Sequence, residues 1–504
     1  MNSIDRFLNK ITMYRLILYY LTGLLIVAII LSACKVIHYN PGAIILSTVI
    51  LIAVSWAANE IFVWAFKAHA NVESVYISAL ILALILTPLA SGRDVWFLAA
   101  AAVVMVASKF IFAVRKKHVF NPVAIAVVIT GFVLNYYASW WVGTLWMLPF
   151  VIIGGVLIVR KIQRFDLVFS FLMAAVVTIM AVSLINGINV VTVMKQSLID
   201  SPLFFLAFVM LTEPLTTPPT KLLQIWYGAI VGVLFAPQLH VGSVYATPEL
   251  SLVIGNLFAY IVSPKQKLTL SLKEKVLLAP DTYEFVFASD QGMNFRPGQY
   301  LEWTLSHAKP DDRGNRRYFT IASAPSEESI RVGVKFGQPT SSFKKKLLEM
   351  QLGDTLMAAQ LSGDFTLPND LEKKFVFIAG GIGITPFVSM IRDALETKQK
   401  KDITLLYANR NPEDIAYRDV LEHARTELGM NTVYTLSAVN ATASHEHERT
   451  GRITAAMIRE EVPDFAEREY YISGPNSMVQ SFEELLSEIG IPPSHVTVDY
   501  FPGF

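Results

Sequence analysis

Gly380, Gly381 and Gly383 stand between the apolar run KKFVFIA and the stretch TPFVSMIRDAL. The apolar run reads as a buried strand. The glycines permit a tight turn, and Pro386 suits the first turn of a helix. Exposed N–H groups at such a helix start attract a pyrophosphate, so Gly380, Gly381, Gly383, Thr385 and Pro386 are expected to receive a dinucleotide. A purely structural strand–helix turn is the alternative. Upstream, residues 316–327 read RRYFTIASAPSE. On one extended strand, Arg317 could pair with phosphates, Phe319 could stack on a flavin ring, and Thr320 could hydrogen-bond near flavin N5. An ordinary strand with one surface charge is the plainer reading.

The elements that must carry these residues differ sharply along the chain. Of 504 residues, 53% are hydrophobic and only 16% charged, against about 25% charged in average soluble chains. The net charge of +1 gives no argument for a nucleic-acid partner, and the single cysteine, Cys34, excludes a disulfide framework, a Cys-ligated zinc and a self-held iron–sulfur cluster. No metal site is expected. MNSIDRFLNKITMYR leads into a long apolar segment that reads as a membrane helix rather than a cleavable signal.

Ten apolar segments follow, near 14–37, 41–66, 73–91, 94–114, 119–137, 143–160, 166–187, 200–213, 220–237 and 248–263. As ten spans, they put Arg6, Lys10, Arg15, Lys67, Arg115, Lys116, Lys117, Arg160, Lys161, Arg164, Lys221, Lys265 and Lys267 on one side. Only Lys35, Arg93 and Lys195 fall on the other. The expectation is a multi-pass protein of the inner or plasma membrane, in contact with lipid, with both termini cytoplasmic. From residue 266 charges become frequent and apolar residues alternate as in half-buried strands. Beyond 370, apolar strands alternate with helical patterns, which predicts a parallel sheet. The polar NATASHEHERTGR reads as an exposed loop.

Further motifs come in order: RPGQY (296–300), KFGQPTSSFKKKL (335–347), LLYANRNPEDIAYRD (405–419), YYISGPNSMVQ (470–480) and the terminal VDYFPGF. Together they resemble the ferredoxin–NADP reductase superfamily across 266–504. The resemblance implies an FAD-binding antiparallel β-barrel at 266–370 and an NAD(P)-binding, Rossmann-like α/β domain at 371–504. It further implies FAD as cofactor, NADH or NADPH as substrate, and hydride transfer to flavin N5. Carried over by motif, Arg317, Tyr318, Phe319 and Thr320 hold FAD, with Ser341 and Ser342 at its pyrophosphate. The glycine turn takes the nicotinamide dinucleotide, and Asn409 and Arg410 take its adenosine side. Gly474 and Pro475 shape the nicotinamide pocket, and Asp499, Tyr500 and Phe501 lie near the flavin. Thr320, Ser473, Asp499 and Phe501 are the implied catalytic set. Ser473 stands where the family often has Cys, and Phe319 where it has Tyr.

The apolar half carries another likeness. The stretch from SALILALILTPLASGRD to FNPVAIAVV, then FVMLTEPLTTPPTK and VYATPELSLVIGNLFAYIVSP, resemble the NqrB/RnfD family, within a membrane domain at 1–265. Those relatives attach FMN to a threonine in Ser-Gly-Ala-Thr, a tetrapeptide absent here. The implied site is therefore one for non-covalent FMN or riboflavin, or for a quinone, lined by Asn121, Thr212, Glu213, Thr216, Thr217 and Asn256. Asn59, Glu60 and Lys109 are polar within spans and could contact an ion, proton or quinone. Alternatively, Glu60 and Lys109 pair or reach the interface. His38, His69, His118 and His240 fall at helix ends, which argues against a paired-haem stack. NYYASWWVG reads as an aromatic belt at the outer interface. Electron transfer from NAD(P)H through FAD to a membrane flavin, a quinone or a redox partner is the leading expectation. Redox-coupled ion transport and simple anchoring of a flavin reductase are the alternatives.

Overall fold

The computed structural model describes residues 8, 11–66, 72–114, 117–263, 267–307, 310, 311, 314–368, 370, 372–438 and 447–501. Arg6, Lys10, Lys67, His69, Arg115, Lys116 and Lys265 lie outside these residues, as do the domain boundaries at 265/266 and 371 and most of the expected 440–452 loop. The chain forms two compact units that divide between Lys267 and Leu268.

The first unit is helical: α1 (Met13–Ala33), α2 (Pro41–Phe66), α3 (Val72–Ile85), α4 (Gly92–Ile111), α5 (Pro122–Leu134), α6 (Leu148–Ile162), α7 (Phe165–Ile185), α8 (Val190–Ile199), α9 (Leu203–Met210), α10 (Lys221–Leu234) and α11 (Pro248–Val262). Each of the ten apolar segments contains a helix, but ten spans do not result. Among the described residues, four helices (α1, α2, α4 and α7) are long and apolar enough to cross a membrane. A fifth span arises if α8 and α9, bent by 53°, count as one. Turn chemistry shortens the others. In the 119–137 segment, Asn121 caps a helix that starts at Pro122 and ends at Asn135, whose φ of 52° is left-handed. That leaves 13 residues, where a span needs about 20.

The aromatic belt is also corrected. Trp140 and Trp141 are buried. The Trp140 indole N–H donates to Glu249 Oε2 (3.1 Å), and that of Trp141 donates to the carbonyls of Ala83 (3.1 Å) and Leu86 (3.0 Å). With their single donors satisfied inside, the two indoles are core groups. Glu60 is exposed and does not meet Lys109, whose ammonium donates to Ser74 O (3.1 Å) and Oγ (3.2 Å). Asn59 is buried.

The second unit begins with six strands: β1 (Lys267–Ala279), β2 (Thr282–Ser289), β3 (Tyr300–Thr304), β4 (Arg316–Thr320), β5 (Ser329–Lys335) and β6 (Thr355–Ser362), with helix α12 (Ser342–Glu349) before β6. They pair in the order β4-β3-β6-β1-β2-β5, antiparallel between β4 and β3, β3 and β6, β1 and β2, and β2 and β5. Alternation in β1 sends Leu268, Leu270 and Leu272 into one core with Phe285, Phe287 and Trp303. Past the end of β4, Ala322 N–H donates to Arg331 O of β5 (2.8 Å), so the sheet curls and its two edges approach.

There follow β7 (Phe375–Gly380), α13 (Thr385–Thr397), β8 (Ile403–Asn409), α14 (Arg418–Leu428), β9 (Asn431–Leu436), β10 (Glu448–Thr450), α15 (Ala455–Glu461), β11 (Glu469–Pro475), α16 (Asn476–Glu488) and β12 (Val496–Phe501). The sheet is parallel throughout, in the order β10-β9-β8-β7-β11-β12. Its central strand β7 is buried on both faces, with Phe375 and Phe377 in one core and Val376 and Ile378 in another. This explains why β7 reads as a continuous apolar run instead of an alternating one. The chain steps from β7 outward to β10, then returns to the other side for β11 and β12. The topological switch therefore falls between β7 and β11, where ligands of open α/β sheets bind at the carboxyl ends.

Candidate functional site

The glycine turn lies at that switch point. Gly381 has φ +52°, a left-handed conformation that glycine adopts without a Cβ penalty, and its carbonyl accepts from Tyr407 Oη (3.0 Å). Gly383 passes against the end of β11: an added Cβ would collide with Ser473 O and come within 2.7 Å of Gly474 Cα. Gly380 lies as close to Met478. Thr385 Oγ1 donates to Ile382 O (3.2 Å), closing the short 3₁₀ turn ahead of α13. Asn409 ends β8 and is buried, while Arg410 beyond it is exposed. In the β11–β12 register, Asp499 pairs with Ser473, Tyr500 with Gly474 and Phe501 with Pro475. The residues expected to meet the dinucleotide thus gather at the carboxyl ends of three adjacent strands, β8, β7 and β11, and those expected near the flavin follow on β12.

A second cluster lies in the antiparallel sheet. The buried Arg317 stacks its guanidinium 5.2 Å from the Phe343 ring centroid, and Phe319 contacts the same ring at 5.9 Å. Helix α12 therefore brings its N-terminus, with Ser341 capping Lys344 N (3.3 Å), to the Arg317–Phe319 face. Tyr318 does not join them. Strand alternation turns it outward, where its hydroxyl donates to Glu302 (2.9 Å).

Sequence reasoning missed Asp311, whose carboxylate accepts from Ser342 N–H (2.9 Å) and lies 3.9 Å from Arg317 Nη2. His307 also contacts Ser342 Oγ (3.0 Å). It missed the carboxylate of Glu284 as well, which is 3% exposed and takes Arg392 of α13 (2.8 Å) and Arg331 of β5 (3.0 Å). Arg392 also donates to Ala322 O (2.9 Å), and Ser389 Oγ to Ser323 O (2.7 Å). These bonds tie the glycine-turn helix to the segment that follows Thr320. Burial pushes the nearby Tyr417 hydroxyl well above its ordinary pKa. No local pattern marks such pairs, because their partners are far apart in sequence.

The residues fit a flavin and a dinucleotide on two counts. Thr320 Oγ1 and Ser473 Oγ are buried hydroxyls without a hydrogen-bond partner, and a buried polar group normally has one. The glycine cradle at Gly380 and Gly383 has no room for a Cβ.

In the helical unit, the six candidates come together but mainly satisfy one another. Asn121 Nδ2 donates to Glu213 Oε2 (2.8 Å), and Thr216 donates to the same oxygen (3.2 Å). Asn121 N–H donates to Asn256 Oδ1 (2.7 Å). Thr217 accepts from Arg164, whose guanidinium also reaches Thr212 O (3.3 Å). Unforeseen members are His118, 3.4 Å from Glu213 Oε1, and the fully buried Tyr227, which accepts from Asn256 Nδ2 (2.9 Å). The adjoining cleft holds about 10 Å³, room for about one water, far below the roughly 300–1,000 Å³ of ordinary ligand sites. These residues do not fit a flavin as they stand.

Residues 377–484 match the oxidoreductase NAD-binding domain family. The C-terminal half is also similar to longer curated proteins. It is 28% identical over 210 residues to a flavohemoprotein of Bacillus subtilis, covering 41% of this chain and 51% of that one. It is 29% identical over 229 residues to the glycine betaine monooxygenase reductase subunit of Chromohalobacter salexigens, covering 44% and 60%. The chain thus spans about half the length of the curated relatives it matches. Among solved structures, a cytochrome P450 reductase of Amycolatopsis aligns over 47% of this chain and 70% of that one, at 24% identity and a TM-score of 0.42.

Proposed function

We propose that this protein is a membrane-bound, FAD-dependent NAD(P)H oxidoreductase that passes electrons to an acceptor in or across the membrane. One observation carries the reading: the glycine turn at the sheet's switch point is bonded through α13 to the segment that directly follows the strand presenting Arg317, Phe319 and Thr320. The similarity to reductases that carry these domains supports it. When bound, FAD supplies the conversion from two-electron to single-electron transfer. The chain's own residues bind and orient. Arg317 and the α12 N-terminus take phosphate charge, Phe319 walls the ring site, and Thr320 and Ser473 offer hydroxyls to the reacting edges. Asn409 and Arg410 face the adenosine side, and Asp499 with Phe501 borders the flavin from β12.

The NqrB/RnfD likeness and the four or five apolar spans favour delivery into the membrane over simple anchoring. A quinone or a redox partner protein is favoured as acceptor over a second flavin, for which the polar cluster leaves no room. The test is anaerobic titration of the detergent-purified full chain with NADH and NADPH, together with flavin extraction. One FAD per chain, bleached by either nucleotide, is expected; a chain that retains no flavin, or is not reduced, overturns the reading.

A further inference from the structure

The polar cluster of the helical unit is more than a buried hydrogen-bond knot. Resting on the proposed electron delivery into this unit, we infer that His118 and Glu213 form a proton-loading pair, filled from solution through the cleft beside them. Four observations lead there.

First, the pair is titratable and mostly enclosed: the side chains are 11% and 22% exposed and approach to 3.4 Å. That separation is looser than the roughly 2.7–2.9 Å of a charge-assisted hydrogen bond, so the geometry does not lock a proton on either group. Second, the cleft is lined by Lys117, His118, Val119, Thr216, Asn256 and Tyr260. It is too small for a cofactor, and its roughly 10 Å³ has room for one water beside the imidazole. A structural ion pair has no need of such a space.

Third, the bonds continue inward. Glu213 joins Asn121, Asn121 joins Asn256, and Asn256 joins Tyr227 in the core of α10. Fourth, Glu213 stands three residues beyond a π-helical turn, Leu206–Met210, at the end of the bent α8–α9 pair. Such turns recur at functional sites, and interrupted helices in membranes line cavities. The charged and titratable groups around the pair are Lys109 from α4, Lys117 just before His118, Arg164 at the start of α7, Tyr227 from α10 and Tyr260 from α11. Arg164 is bonded to Thr217 and the Thr212 carbonyl.

The chemistry requires such a group. Reduction of a two-electron carbonyl acceptor, a quinone ring or a flavin ring, consumes two electrons and two protons. With NAD(P)H as donor, the balance is NAD(P)H + H⁺ + acceptor → NAD(P)⁺ + reduced acceptor carrying two hydrogens. Because electrons alone enter the helical unit, both protons that the acceptor takes up come from solution, one of them offset by the proton released as the reductase flavin gives up its electrons, and His118 and Glu213 load them in turn.

The experiment uses the full chain in lipid nanodiscs with NADH or NADPH. Reduction of a short-chain ubiquinone analogue is compared with reduction of ferricyanide in the same sample, across pH and in D₂O. Flavin extraction tells whether a membrane flavin or the quinone is the acceptor. In Glu213→Gln and His118→Gln, the quinone-to-ferricyanide ratio should fall at least tenfold, with the pH profile flattened. Glu213→Asp should recover part of the ratio, and added imidazole should rescue His118→Gly. FAD content checks folding of each variant. A wild-type ratio and pH profile in Glu213→Gln overturns the proton role and leaves the electron route standing. A wild-type protein that reduces ferricyanide but neither quinone nor a bound second flavin overturns the electron route, and the proton role with it.

Discussion

Glu284 offers the sharpest test of how the reductase half holds its two half-sites together. Its carboxylate is 3% exposed and takes Arg392 at 2.8 Å and Arg331 at 3.0 Å. Glu284→Ala leaves two guanidinium groups facing one another, but not equally stranded. Arg331 keeps Glu327 at 2.6 Å, whereas Arg392 keeps only the Ala322 carbonyl and the Tyr417 ring. Breaking a buried pair costs about 3–5 kcal/mol, and the surviving Arg331–Glu327 contact argues for the lower end, about 3 kcal/mol. For a unit of this size, that lowers Tm by roughly 6–12 °C. Arg331→Ala, which leaves Arg392 on Glu284, should cost about 1 kcal/mol. The assay is thermal release of flavin fluorescence from the full chain in detergent. Because α13 carries both Arg392 and the glycine turn, KM for NAD(P)H should rise together with the loss of stability. A shift below about 2 °C for Glu284→Ala, or one equal to that of Arg331→Ala, would refute the reasoning.

The two glycines of the turn should separate. Gly383→Ala meets the β11 backbone and should lower kcat/KM for NAD(P)H by about a hundredfold or more, the effect of a 1 Å misplacement, while FAD is retained. Gly381→Ala has open space around its Cβ and should cost only about 1 kcal/mol for its positive φ, read in denaturant unfolding. Thr320→Val removes a hydroxyl that is buried without a partner. It should leave the flavin-free protein as stable or up to about 1 kcal/mol more stable, yet slow flavin reduction about tenfold in stopped flow, if that hydroxyl serves proton or hydrogen-bond chemistry. Asp311→Asn relieves the carboxylate at the α12 N-terminus and should tighten FAD binding about tenfold, measured by fluorescence quenching. Acid behaviour has a local cause too. Arg468 at 2.6 Å and Lys374 at 2.7 Å hold the Asp464 carboxyl down at about 2. Its contribution is full above the unfolded value of about 3.9 and is lost as pH falls toward about 2. Screening limits it to about 1 kcal/mol, and Asp464→Asn should flatten that part of the acid-unfolding curve.

Local pattern determined a good deal here. Glycine spacing, an apolar run and Pro386 suffice for the turn at Gly380–Gly383, because strand, turn and helix start all lie within a few residues of one another. The alternation in β1 and the order of motifs in the C-terminal half were legible for the same reason. What only the tertiary structure decided involves partners remote in sequence or the end points of helices. Hydropathy marks every apolar segment but not where caps such as Asn121 and Asn135 stop a helix, so of ten segments only four or five give helices, or a bent pair, long and apolar enough to cross a membrane among the described residues. Trp140 and Trp141 look interfacial by composition, yet they are core groups because Glu249 and the carbonyls of Ala83 and Leu86 meet their N–H groups. Tyr318 has the residue type of a flavin contact, and strand alternation turns it away from Arg317 and Phe319. His118 beside Glu213, and Glu284 beside Arg392, are pairings across long stretches of chain. Periodicity carries no information about them, since a residue's local pattern says which face it takes and never which distant element will be packed against that face.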